Sequence, residues 1–136
     1  MHAPKLNVSI RQATRKDLAD IIALFASDSI GGHGDTTAPD AFPDYLAAFE
    51  RITATPTETL YVAELDGAVV GTFQTTILTT LSGRGSSNLL IEAVQTREDM
   101  RGRGIGEAMM RFAIDLASVQ GFSKLQLTSN KERIDA

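Results

Sequence analysis

The chain has 136 residues, 43% hydrophobic and 22% charged, with a formal net charge of −4 and no cysteine. That length and balance describe one folded domain with a real core, and exclude a disordered or fibrous chain. The absent cysteines exclude disulfides, thiolate nucleophiles and Cys-ligated zinc, the acidic balance argues against nucleic acid as a partner, and no apolar run approaches the roughly 18 residues of a membrane span.

In chain order, "NVSIRQAT" alternates like a strand, and Thr14 with Asp17 three positions later opens a capping-box-like helix start. Leu18, Ile21, Ile22 and Phe25 follow at helical spacing, which predicts an amphipathic helix over residues 15 to 27. "DSIGGHGDTTAPD" reads as a loop, because its glycines and proline cannot continue that helix. A second helix is expected from about Phe42 to Thr53, with Tyr45, Leu46, Phe49 and Ile52 on one face and Pro43 near its first turn. "TLYVAEL" and "AVVGTFQTTIL", joined by Asp66 and Gly67, read as a hairpin. "GRGSS" marks another turn, "NLLIEAVQT" a third strand of the series, and "FSKLQLTS" a strand after a helix that begins near Gly104 and stops at Gly121.

The stretch "RGRGIG", Arg101 to Gly106, therefore lies between a strand and a helix. The first turn of a helix has unpaired N–H groups at the positive end of the macrodipole, so it attracts anions; glycines let a phosphate come close, and Arg101 and Arg103 add charge-assisted donors suited to a pyrophosphate. The same glycines also serve a tight turn, and the same arginines a wet surface. Two other phosphate loops do not fit. No glycine is followed by Lys and then Ser or Thr, which removes the P-loop, and Gly102, Gly104 and Gly106 are spaced G-x-G-x-G rather than G-x-G-x-x-G. A nicotinamide or flavin oxidoreductase is thus the weaker alternative.

"RGRGIG" fits the R-x-x-G-x-G pattern of the GNAT superfamily of acetyl-CoA-dependent N-acetyltransferases, which the chain resembles along nearly all its length, including "LLIEAVQTREDM" before it and "EAMMRFAIDLASVQGFSKLQLTSN" after it. The resemblance implies an α/β (α+β) fold, a mixed, largely antiparallel central sheet flanked by helices, splayed where the pantetheine of acetyl-CoA enters. It implies main-chain contacts to pantetheine near Val94, Gln95 and Thr96, a pyrophosphate held over Arg101, Gly102, Arg103, Gly104, Ile105 and Gly106, and a further cofactor contact at Asn130. Coenzyme A would bring the only sulfur needed. The family would continue past "SNKERIDA" through a helix and strands, so residues 1 to 136 read as one N-acetyltransferase domain with a shortened C-terminal end, and strand exchange in a homodimer is an open expectation.

The implied reaction is direct attack of a primary amine, on a small molecule or a peptide N-terminus, on the thioester. Glu92, in "IEAV", is the candidate base; a carboxylate on the solvated face of a strand is the competing reading. A main-chain N–H near Val94 would serve the oxyanion. No general acid is assigned, because Tyr45 and Tyr61 are the only tyrosines and both fit packing roles. The acceptor is expected at the loop between the first two helices, which carries Asp28, Asp35, Asp40 and His33. No metal is expected, the expected compartment is the cytoplasm because "MHAPKLNVSI" lacks the order of a signal peptide, and a non-catalytic acyl-CoA-binding or sensing module is the alternative function.

Overall fold

The computed structural model describes residues 7–27, 34–122 and 124–128. Among them, five strands form one sheet in the order β1 (Ser9–Gln12), β2 (Glu58–Leu65), β3 (Ala68–Thr79), β4 (Ser87–Thr96) and β5 (Lys124–Thr128). Neighbours are antiparallel except β4 and β5, which run parallel and are joined by the helix α4 (Ile105–Gln120). The β2–β3 hairpin closes on Asp66 at φ 52° and Gly67 at φ 81°, the two positive values that a two-residue turn matching strand twist requires. Between β3 and β4 the single turn α3 (Ser82–Gly85) is left-handed at Gly83 and Arg84.

The two faces of the sheet have separate cores. On one, α1 (Leu18–Ala26) and α2 (Phe42–Ala54) bury Leu18, Ile21, Ile22 and Phe49 against Leu60 and Val62. On the other, α4 buries Ile105, Met109 and Ala113 against Ala63, Phe73 and Ile91. Each fully buried large apolar side chain contributes roughly 1.5–3 kcal/mol. Gly71 permits the approach of α4, since a Cβ there would stand 3.0 Å from Met109 Sδ. Tyr61 stacks on Phe73 at 5.0 Å between ring centres and meets the edge of Phe112 at 5.2 Å, which ties β2, β3 and α4 together.

The helix expected over residues 15 to 27 begins as a 3-10 turn, Arg15–Asp17, before α1 proper. The cause is Asp17. Its carboxylate turns back to accept the Thr14 N–H at 2.7 Å and both Arg11 terminal nitrogens at 2.8 and 2.9 Å, while Arg11 also reaches Glu64 at 2.9 Å. This partly buried ion pair joins β1, β2 and the entry to α1. No helix among the described residues is long and apolar enough to cross a membrane.

Candidate functional site

The site is organised by an irregularity in β4. Thr72 faces Gln95 and Gln74 faces Glu92, so Phe73 alone stands opposite both Ala93 and Val94. Ala93 takes the extra place at φ 54°, a left-handed conformation that costs a residue with a Cβ roughly 1 kcal/mol or more. The parallel ladder between β4 and β5 runs from Asn88 and Lys124 to Glu92 and Thr128, and no later pair exists among the described residues. Arg97 donates its N–H to the Val70 carbonyl at 2.8 Å on the β3 side, so strand alternation turns the main-chain groups of Thr96, and of Val94 two residues earlier, to the edge of β4 away from β3. Gln95 faces β3 and is buried.

Past β4, the 3-10 turn Glu98–Met100 leads into the glycine and arginine loop. Gly102 at φ 73° and Gly104 at φ 91°, the latter capping α4, need glycine for their dihedrals, since a Cβ at either would meet nothing within 4 Å. Among the described residues no main-chain hydrogen bond uses the N–H groups of Gly102, Arg103 or Gly104, and the first-turn N–H groups of Ile105, Gly106 and Glu107 point out of the helix end. Ile105, only 1% exposed, anchors that end in the core. Arg101 is half-buried and Arg103 exposed, with Arg103 Nη1 3.6 Å from Met100 Sδ. Glu107 is drawn along the helix surface to Arg111 at 2.8 Å, so its charge is partly neutralised at the anion-attracting end.

Glu92 is half-buried. It pairs with Gln74, which pairs with Leu60, so the three side chains share the face covered by α1 and α2. Both helices are therefore on the Glu92 side of the sheet, while the glycine loop opens α4 on the other. An open cleft of about 700 Å³ lies between α1, the β2–β3 turn and the 3-10 turn after β4. Asp20, Glu98 and Asp99 line it, and Arg97 neutralises Asp99 at 2.6 Å; a phosphate is repelled there and attracted at Arg101 to Gly106.

The family model described as Acetyltransferase (GNAT) family matches residues 18–136. The chain belongs to that family.

Solved structures agree on the fold of this acetyltransferase relative. A Bacillus halodurans C-125 protein described as a transcriptional regulator is 34% identical, with a TM-score of 0.88 over 96% of this chain and 87% of that one. A putative acetyltransferase from Agrobacterium tumefaciens is 29% identical, with a TM-score of 0.76 over 90% and 82%. A predicted acetyltransferase from Clostridium acetobutylicum, solved with acetyl-CoA, shares the fold at 18% identity, with a TM-score of 0.68 over 92% and 82%. No curated protein matches the chain.

Within this GNAT domain the residues singled out from sequence fall into three groups. Glu92, Val94 and Thr96 gather at the bulge, and Arg101 to Gly106 at the end of α4. Gln95 stands apart from its two neighbours through its pairing with Thr72, and Asn130, Asp28 and His33 lie outside the described residues. Ala93 was not visible from sequence. An alanine between a glutamate and a valine carries no turn signal, and its left-handed backbone accompanies the register shift against β3. Nor did spacing reveal that Tyr45 donates its hydroxyl hydrogen to Asp35 Oδ1 at 2.7 Å.

Proposed function

We propose that the protein transfers the acetyl group of acetyl-CoA to a primary amine of a small molecule or a peptide N-terminus. The observation that carries this reading is the coincidence, within a GNAT domain, of the β4 edge at Val94 and Thr96, turned away from β3 beside the Ala93 bulge, with the glycine and arginine loop that opens α4. The edge suits an extended amide-bearing chain, the loop suits a pyrophosphate, and both fit coenzyme A. Acetyl-CoA would supply a thioester whose carbonyl carbon an amine attacks directly, the C–S bond then breaking so that coenzyme A leaves as its thiolate and is protonated by water.

The chain's residues then have three tasks. Main-chain groups of Val94 and Thr96 bind and orient pantetheine, with the Val94 N–H donating to the thioester oxygen as charge develops on it. The N–H groups from Gly102 to Gly106, with Arg101 and Arg103, hold the phosphates. Glu92 receives the proton of the incoming amine, directly or through water. That service is needed because an alkylamine with a pKa near 10.4 is neutral in only about one molecule in 2,500 at pH 7. Residues 1 to 136 act as one domain, and the outer edge of β5, where Leu127 is exposed, is the place at which a second copy would add a strand.

A second reading is a non-catalytic acyl-CoA-binding module. It is favoured by the description of the 34% identical Bacillus halodurans protein as a transcriptional regulator. Calorimetric titration of the purified chain with acetyl-CoA, with NAD and ATP as controls, tests what both readings share. Selective acetyl-CoA binding is expected, and equal or absent binding of all three would sink the site assignment. Thiol release in the presence of amines then separates enzyme from sensor.

A further inference from the structure

At the end of α4 far from the glycine loop, helix and sheet stand apart. The sheet face under α4 carries Phe73 and Ile91 where the helix packs closely, but below its last turns it carries Thr59 on β2 and Thr75 on β3, paired across the two strands. Two threonines fill less space than two large apolar side chains, and a pocket of about 150 Å³ is left between them and Leu116 and Phe122. The helix end fixes this roof. Gly121 is left-handed at φ 75°, and its N–H and that of Phe122 return to the Ser118 and Ala117 carbonyls at 3.1 and 3.0 Å, which brings Phe122 back to the pocket that Leu116 also lines. Tyr61 stands on the side towards the core. Its ring is held by Phe73 and Phe112, and its hydroxyl has those of Thr59 and Thr75 as hydrogen-bonding neighbours. Burial raises its pKa, so the phenol stays protonated at neutral pH. Three hydroxyls thus converge on one side, Ile77, Leu89, Leu116 and Phe122 line the pocket with carbon, and no charged side chain among the described residues lines it.

Water fills such a space poorly. At about 30 Å³ each, about five molecules would be needed, each wanting roughly two to four polar partners, and hydroxyls already turned to one another serve only about one or two of them. A cavity of this volume admits a ring of about six atoms. We propose that the pocket is a binding site, separate from that of acetyl-CoA, for a small uncharged molecule of about six non-hydrogen atoms, its apolar body against Leu89 and Leu116 and one hydroxyl or carbonyl oxygen at Tyr61. Replacing poorly bonded water by an apolar group gains affinity, whereas a charged ligand would lose its hydration with no opposite charge to meet it. The inference does not depend on acetyl transfer. α4 has 16 residues and spans roughly 24 Å, with the glycine loop at one end and the pocket at the other, so the two ligands do not exclude each other.

The test is titration of the isotope-labelled full chain with cyclopentanol, followed by amide and methyl NMR shifts. Cyclopentylamine, the same ring bearing an ammonium at pH 7, is the control. Saturable shifts confined to Ile77, Leu89, Leu116 and their neighbours are expected, with a Kd of roughly 1–10 mM for so small a ligand and cyclopentylamine about tenfold weaker. Tyr61→Phe keeps the ring, loses the hydroxyl and should weaken cyclopentanol about tenfold. Leu116→Phe fills the pocket and should abolish saturation, while saturating acetyl-CoA should leave the cyclopentanol Kd within twofold. Shifts that grow without saturation would mean that the pocket holds water only and overturn the inference. Equal binding of cyclopentylamine, unchanged affinity in Tyr61→Phe, binding that survives Leu116→Phe, or displacement by acetyl-CoA overturns it as well. The comparison of alcohol with amine uses the parent chain, so it decides the matter even where a variant does not fold.

Discussion

Glu92 and Asp17 are both carboxylates that leave full solvent on folding, yet their surroundings assign them opposite tasks. Glu92 stands on the strand residue before the bulge, opposite the uncharged Gln74, where a proton acceptor near an entering amine is useful. Glu92→Gln is expected to lower kcat by roughly 10²–10⁴-fold while leaving the acetyl-CoA Kd unchanged, since general-base assistance is lost and cofactor contacts are not. Equal kcat in the variant would remove Glu92 from the mechanism. Asp17 is held by Arg11, and those hydrogen bonds lower its pKa from 3.8 to about 2. Because the folded value lies below the unfolded one, the stabilisation is fully present above about pH 4 and is lost as pH falls through 2; it amounts to about 2 kcal/mol. Asp17→Asn should therefore unfold at lower urea at pH 7, and its stability should change less than the parent's between pH 4 and pH 2. Parallel pH dependence in the two proteins would contradict this.

At the scale of single elements, β4 and α4 carry the proposed site. β4 bulges at Ala93, and α4 begins at a left-handed Gly104 so that its first N–H groups face outward. The sequence pattern located both elements. Gly104 and Gly121 bounded α4 as expected, and its buried face runs through Ile105, Met109, Ala113 and Ala117. Arg101→Ala combined with Arg103→Ala is expected to weaken acetyl-CoA binding by about 10²-fold through two lost charge-assisted contacts, with a steeper salt dependence in the parent than in the variant. The melting temperature should stay within a few degrees, because Arg103 is exposed and neither guanidinium takes part in an ion pair among the described residues. An affinity untouched by the double change would mean that the loop is only a turn.

Over the whole molecule, the sheet separates two layers: α4 and the glycine and arginine loop on one face, α1, α2 and the Tyr45–Asp35 hydrogen bond on the other. A ligand lying along the β4 edge would touch elements that otherwise meet only through the sheet, so acetyl-CoA at about 100 times its Kd should stabilise the fold by about 2.7 kcal/mol and raise the melting temperature by several degrees. No shift at saturating ligand would show that the bound state is not the folded state described here. Residue order alone decided the strands, the helices, the hairpin turn and the glycine loop before α4, because each depends on the periodicity or dihedral freedom of neighbours in the chain. The resemblance carried by "RGRGIG" supplied the family. The bulge at Ala93, the ion pair across Arg11, Asp17 and Glu64, and the reach of Tyr45 to Asp35 were decided only by tertiary structure. Each is a relation between segments whose register or packing no local pattern encodes.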